Sequence, residues 1–311
     1  MLTQVISLAI ATVVLYRCLP NKLAQLQFTS WFEPKPSSQE RPAPHGATPQ
    51  RQRRGVRVRK VYPIESDLET DIDIIAVHGL DTNSPDTWED RSKGKPPVNW
   101  LADEGMLPQE VPRARIFTCD WPADLFRDPD VEENRIDELA RLLLEGIFGR
   151  PQATDKQLRN RPILFIASCL GGIILMKALV MADKTYLPVQ EATCGVIFLA
   201  TPFSGTSFEK VAGWAEPGLR TWASLRGQGI NQLLDWVNGD HFDLDELVRC
   251  FTTLYQKKAY KDPVPLERNH VRMNKFRGPK DLDPDYKLVA DKIRRCLEEI
   301  QKGTPLERAD A

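Results

Sequence analysis

Arg161 to Met181 reads RPILFIASCLGGIILMKALVM, and this stretch decides the fold. Ile163-Leu164-Phe165-Ile166 is a short apolar, β-prone run behind a proline, the pattern of a buried parallel strand. Gly171-Gly172 follow, and Ile173, Ile174, Met176, Lys177, Ala178 and Leu179 continue as a helix. A strand that turns at once into a helix, with small residues at the corner, is the geometry of a nucleophile elbow. The corner side chain stands above the sheet. Its neighbours must be small because the two backbones nearly touch there.

The pattern asks for small-x-nucleophile-x-Gly, and Ala167-Ser168-Cys169-Leu170-Gly171 fits it with Cys169 at the centre. Moving the frame to make Ser168 the nucleophile puts Ile166 and Leu170 where small residues are required, and fails on sterics. The corner therefore presents a thiol where this architecture usually has a hydroxyl. The other account of the same residues is a core strand and helix with a buried structural cysteine.

The 311 residues suffice for one large domain with an appendage. Charged residues make up 27% and the formal net charge is -1, so no global field draws the chain to nucleic acid. Cys18, Cys119, Cys169, Cys194, Cys250 and Cys296 form no CxxC pair, which points to a reducing compartment. His45, His78, His241 and His270 are scattered, so no metal cluster is expected.

Leu2 to Leu19 is the most apolar segment, uncharged before Arg17. It is longer than a signal-peptide core and slightly short of a membrane span. A basic run follows at Arg51, Arg53, Arg54, Arg57, Arg59 and Lys60. Positive charge on that side favours a short N-terminal anchor in the endoplasmic reticulum or mitochondrion, with the remainder in the cytosol. The alternatives are a frayed tail or a cleaved targeting peptide on a cytoplasmic protein. The basic run is either simply solvated or a juxtamembrane patch on an anionic leaflet. The expected division is an N-terminal segment at 1–20, a Pro- and Arg-rich linker at 21–55, a domain at 56–301 and a tail at 302–311.

Within the domain, Val56 to Tyr62 alternates Val with Arg or Lys, as an edge strand with one wet face does. Ile72 to Val77 reads as a continuous apolar strand running into His78-Gly79-Leu80. A His-Gly loop just beyond a strand can offer a backbone N–H to an oxyanion, with His78 shaping the loop. Arg115 to Cys119 is the next strand, ending in Asp120-Trp121-Pro122, and Asn134 to Phe148 has helical apolar spacing. Cys194 to Ala200 is a further buried strand, ending at Thr201-Pro202-Phe203-Ser204-Gly205-Thr206. Val211 to Lys258 reads as helical, either a lid or ordinary packing, and Leu282 to Ile300 as a terminal helix. Strands alternating with helices describe an open parallel sheet. Ahead of the last helix lies the loop carrying His270, where such a fold returns a general base to its nucleophile.

Together these pieces resemble the α/β-hydrolase superfamily. Within it they are most similar to the serine esterase group that includes the serine-active-site-containing proteins and the lipase-like domains of some fungal nucleotide-binding receptors. The resemblance rests on Val77-His78-Gly79-Leu80, Asp120-Trp121-Pro122, Cys169-Leu170-Gly171-Gly172, Ala200 to Thr206, and Asn269-His270 with Met273-Asn274-Lys275-Phe276. It implies hydrolysis of carboxylic, including lipid, esters without a cofactor. By it, Cys169 takes the nucleophile position and His270 the base, with Gly79, Leu80 and Leu170 around the oxyanion and Ala167, Gly171 and Gly172 building the elbow. Two departures stand out. Cysteine replaces serine, as it does in dienelactone hydrolase, and between Ala200 and His270 no apolar strand ends in an acid. Asp243, Asp262 and Glu267 are the substitutes on offer.

The expected architecture is therefore an α/β-hydrolase-like, mostly parallel sheet flanked by helices, lacking the last one or two strands before the histidine loop. Such a loss leaves a sheet edge with unpaired backbone groups, which either makes the chain less stable than its relatives or calls for a partner protein to cover the edge. Two functions are open: a Cys–His ester hydrolase, or a catalytically degenerate module that tethers to a membrane and binds or signals. A shortened isoform would also account for the missing segment.

Overall fold

The computed structural model describes residues 11–17, 56–64, 70–79, 84–121, 135–150, 161–201, 243–255, 264–266, 272–279 and 282–303. In chain order the strands are β1 (Ala11–Arg17), β2 (Arg57–Tyr62), β3 (Ile72–Val77), β4 (Glu89–Asp90), β5 (Val98–Asn99), β6 (Ala114–Asp120), β7 (Ile163–Ser168), β8 (Thr193–Leu199) and β9 (Val264–Leu266). The helices are α1 (Ser84–Trp88), α2 (Leu107–Glu110), α3 (Arg135–Phe148), α4 (Leu170–Met181), α5 (Leu187–Ala192), α6 (Leu244–Leu254) and α7 (Pro284–Gly303).

Seven strands form one sheet in the order β2-β6-β3-β7-β8-β1-β9. The four central strands, β6, β3, β7 and β8, are mutually parallel. Their residues are buried on both faces, which is why they read as apolar runs rather than alternating ones. One face packs α3, α4 and α6 against Ile75, Val77, Phe165 and Ala167. The other packs α1, α2 and α7 against Ile74, Ala76, Leu164 and Ile166. The described chain is thus a mixed α/β protein with a mostly parallel sheet between helical layers. Helix α4 is apolar around most of its circumference because the sheet, α3 and α6 enclose it. The stretch Cys250–Tyr255, β-prone on its own, belongs to α6 up to Leu254; the apolar positions Leu244, Leu247 and Phe251 decide it.

Strand β2 lies at one edge, antiparallel to β6, with Arg57 and Arg59 exposed. The opposite side differs from expectation. Strand β8 is not left open: β1 pairs with it antiparallel, from Val13 opposite Leu199 to Arg17 opposite Gly195. Strand β9, just ahead of the histidine loop, then pairs with β1 through Ala11, Thr12 and Val13. The missing-strand expectation is corrected to this extent: a short strand does precede the loop, and the N-terminal stretch fills the place between it and β8. The segment read as an anchor, Leu2–Leu19, thus contributes a strand. Thr12, Val13, Val14 and Tyr16 are β-prone, and an unpaired parallel-sheet edge offers a full ladder of backbone partners. Among the described residues no helix is long and apolar enough to cross a membrane. The linker at 21–55 and most of the expected lid lie outside the described residues.

At the N-terminal end of the sheet, Asp73 interrupts the otherwise apolar β3 and is wholly buried. Arg115, its cross-strand neighbour on β6, grips it with two hydrogen bonds of 2.8 and 2.9 Å. Arg150 Nε donates to the same carboxylate at 2.9 Å, and Arg161 Nε lies 3.2 Å from it. Arg150 also donates to the Ile147 carbonyl at the end of α3, where a cation meets the negative end of the helix. One carboxylate therefore ties together β3, β6, the end of α3 and the entry to β7.

Two outcomes are expected. Asp73→Asn leaves buried guanidiniums without their counter-charge and should lower stability by about 3–5 kcal/mol, read as a fall in the denaturation midpoint. Deleting residues 1–17 should expose the β8 edge, lowering the midpoint and adding oligomers in size-exclusion chromatography. An unchanged midpoint would mean that β1 adds nothing to the fold.

Candidate active site

The parallel strands run their C-terminal ends to one side of the sheet. There β3 leads to helices on one face while β7 leads to α4 on the other. Chain directions diverge between these two adjacent strands, which makes this the topological switch point, the place where open α/β sheets bind ligands. Cys169 stands at that end of β7.

Cys169 joins β7 to α4 with φ 53° and ψ -132°. A side chain rarely tolerates that conformation, and a non-glycine residue held there stores strain. Ala200, just beyond β8, has φ 53° as well; these are the two non-glycine residues with positive φ among those described. Both lie at the same end of adjacent strands, so the strain is concentrated at one place. Hydrogen bonds hold the corner. Cys169 N donates to Leu199 O at 3.0 Å, Gly172 N to Cys169 O at 3.1 Å, and the Thr201 hydroxyl to Cys169 O at 3.2 Å.

The small residues at the elbow have a direct steric cause. A Cβ on Gly171 would overlap the His78 carbonyl and come to 3.0 Å from the Val77 oxygen. A Cβ on Gly172 would run into the Thr201 side chain, lying 2.9 Å from its Cβ. The end of β3 and the end of β8 thus press on the first turn of α4 from two sides. Ala167 and Leu170 are buried, and Cys169 is half-buried.

Gly79 is brought beside the elbow, since its neighbour His78 touches Gly171. Trp121 Nε1 donates to His78 O at 3.2 Å and fixes that segment, which accounts for the tryptophan after β6. The His78 ring is fully buried and its Nδ1 bonds to the Gly79 carbonyl. Burial lowers its pKa from 6.5 to about 4, so it is a neutral, loop-shaping group at pH 7. Leu80, Asp262, Glu267 and His270 lie outside the described residues. Asp243 is at the start of α6, where its carboxylate accepts from Glu246 N at 2.7 Å as a helix cap.

Ser168 is 1% exposed, and its Oγ accepts a 2.6 Å hydrogen bond from Asn274 Nδ2. Trp100 Nε1 donates to the Asn274 backbone carbonyl at 2.8 Å. Met273 and Phe276 are buried on either side, Phe276 edge-on to Trp100 at 5.1 Å. The segment four residues after His270 is therefore nailed to the strand end that carries Cys169. Sequence inspection did not single out Asn274; the available signal was an amide close to the apolar residues Met273 and Phe276. Among the described residues no group of His, Cys, Asp and Glu could hold a metal ion.

No family model matches the sequence, and a search of curated proteins finds no relative. Among solved structures, a Bacillus licheniformis lipase in its mature form superposes with a TM-score of 0.33 at 16% identity, over 70% of this chain and 68% of the lipase. A superposition that loose transfers no site.

The buried imidazole has a consequence for stability. As pH falls from 6.5 towards 4 the unfolded chain takes up a proton at His78 before the folded chain does. Stability fully present above 6.5 is lost across that window, by about 3 kcal/mol. His78→Asn keeps a donor near Nδ1 without titrating. Its stability should fall less than the parent's between pH 7 and pH 4, measured by paired urea melts.

Proposed function

We propose that this chain is an α/β-hydrolase-fold hydrolase of carboxylic, including lipid, esters, with Cys169 as nucleophile and His270 as base. The observation that carries the proposal is the positive-φ Cys169 at the strand–helix corner, above two glycines that admit no Cβ. A buried structural cysteine requires none of this strain.

In the reaction His270 takes the thiol proton and Cys169 Sγ attacks the ester carbonyl. The oxygen becomes an anion facing the N–H of Leu170 and the Gly79–Leu80 segment. Collapse of this intermediate breaks the C–O bond, and His270 protonates the departing alkoxide. Water then cleaves the thioester, with His270 accepting its proton, and the thiol is restored. A thiolate at the first turn of a helix is favoured by the helix dipole, and an imidazole partner favours it further.

The alternative, a binding or signalling module without turnover, has one specific point in its favour. The strand beside β8 is β1, whose sequence from Ala11 to Arg17 contains no acid to orient His270.

The full-length chain, which retains β1, should turn over p-nitrophenyl butyrate. Cys169→Ala should reduce turnover to background and His270→Ala by about 10²–10⁴-fold, with circular dichroism showing each variant folded. A folded parent without turnover on short- and long-chain esters would establish the binding module instead.

A further inference from the structure

The end of β8 holds both backbone polar groups of Cys169. Leu199 O accepts from Cys169 N at 3.0 Å, and two residues further on the Thr201 hydroxyl donates to Cys169 O at 3.2 Å. Gly172 N donates to the same carbonyl at 3.1 Å, so two donors converge on one oxygen. Between the two β8 contacts lies Ala200 with φ 53°, a conformation that persists only where the surroundings enforce it. The Thr201 side chain is buried against Gly172, in the space that a Cβ there would need. Packing asks for none of this polarity, since valine has the same branched shape and would fill that space as well.

What the hydroxyl adds is a fixed Cys169 carbonyl. That carbonyl shares one peptide unit with the N–H of Leu170, the first residue of α4. The unit is planar and trans, so its C=O and N–H point opposite ways, and fixing one fixes the other. A first-turn N–H has no acceptor within its own helix. Donors on the carbonyl also polarise the peptide, which strengthens that N–H.

We propose that Thr201 is a positioning residue of the site, its hydroxyl holding the Cys169–Leu170 peptide so that the Leu170 N–H is aimed at the oxyanion before charge develops. This rests on Cys169 being the nucleophile, and it adds the group that presets the oxyanion donor. A donor aimed in advance needs no reorganisation as the ester oxygen becomes negative. Thr201 does not touch substrate. It acts through Leu170, and only in steps that place charge on an oxygen. Displacement of iodide from iodoacetamide by Cys169 Sγ places the charge on iodide and makes no use of it.

The test pairs these two reactions on the full-length protein: p-nitrophenyl butyrate turnover, and iodoacetamide alkylation read by mass spectrometry of the Cys169 peptide. Thr201→Val should lower kcat roughly tenfold, less than the loss of a whole oxyanion donor because Gly172 N still holds the carbonyl, with KM and the alkylation rate within about twofold of the parent. Thr201→Ser, which keeps the hydroxyl, should restore most of kcat. If Thr201→Val fails to fold by circular dichroism, Thr201→Ala is read in its place. Parent-like kcat in the folded variant, with Cys169→Ala inactive, overturns the positioning role alone. So does a fall in alkylation that matches the fall in kcat, which marks a general disturbance of the corner. A parent without turnover, or turnover that survives Cys169→Ala, overturns the nucleophile reading and this proposal with it.

Discussion

The first turn of α4 is wedged between the ends of β3 and β8 so closely that neither Gly171 nor Gly172 can carry a Cβ. Much else follows from that contact. It brings the His78-Gly79 backbone to the elbow, and it leaves Cys169 to absorb the turn in a conformation that side chains avoid. It also needs β3, β7 and β8 to end level with one another, which the register of the parallel ladders provides, with Val77 opposite Ala167 and Ser168 opposite Leu199.

The opposite end of the sheet keeps that register honest by electrostatics rather than sterics. A carboxylate with no water around it is tolerable only when donors surround it, and Asp73 has guanidinium groups from β6, the end of α3 and the entry to β7. Sliding β6 against β3 would separate Asp73 from Arg115, its direct cross-strand partner. The strained corner at one end thus depends on a strand alignment to which the buried cluster at the other end contributes.

Local physics made part of this legible in the sequence. The strand–helix corner was legible because close backbone contact demands small residues, and Gly171 and Gly172 meet that demand. The helices showed themselves through burial at 3.6-residue spacing, as with Ile136, Leu139, Leu143 and Ile147 in α3. What stayed hidden depends on distant partners. Asp73 was passed over inside an apolar run, although a charge in a buried strand already calls for arginines, and Arg115, Arg150 and Arg161 are spread across the next 88 residues. Ala11–Arg17 suits a membrane and a sheet edge equally well by composition. Its pairing with β8, some 180 residues later, is invisible at that level.

That pairing bears on the site through a short path. Val13 of β1 lies opposite Leu199 of β8, and Leu199 O accepts the hydrogen bond from Cys169 N. The N-terminal strand therefore sits one residue pair and one backbone bond from the corner. Val13 to Arg17 are laddered to β8 and Ala11 to Val13 to β9, so this stretch closes the side of the sheet that lies nearest the corner.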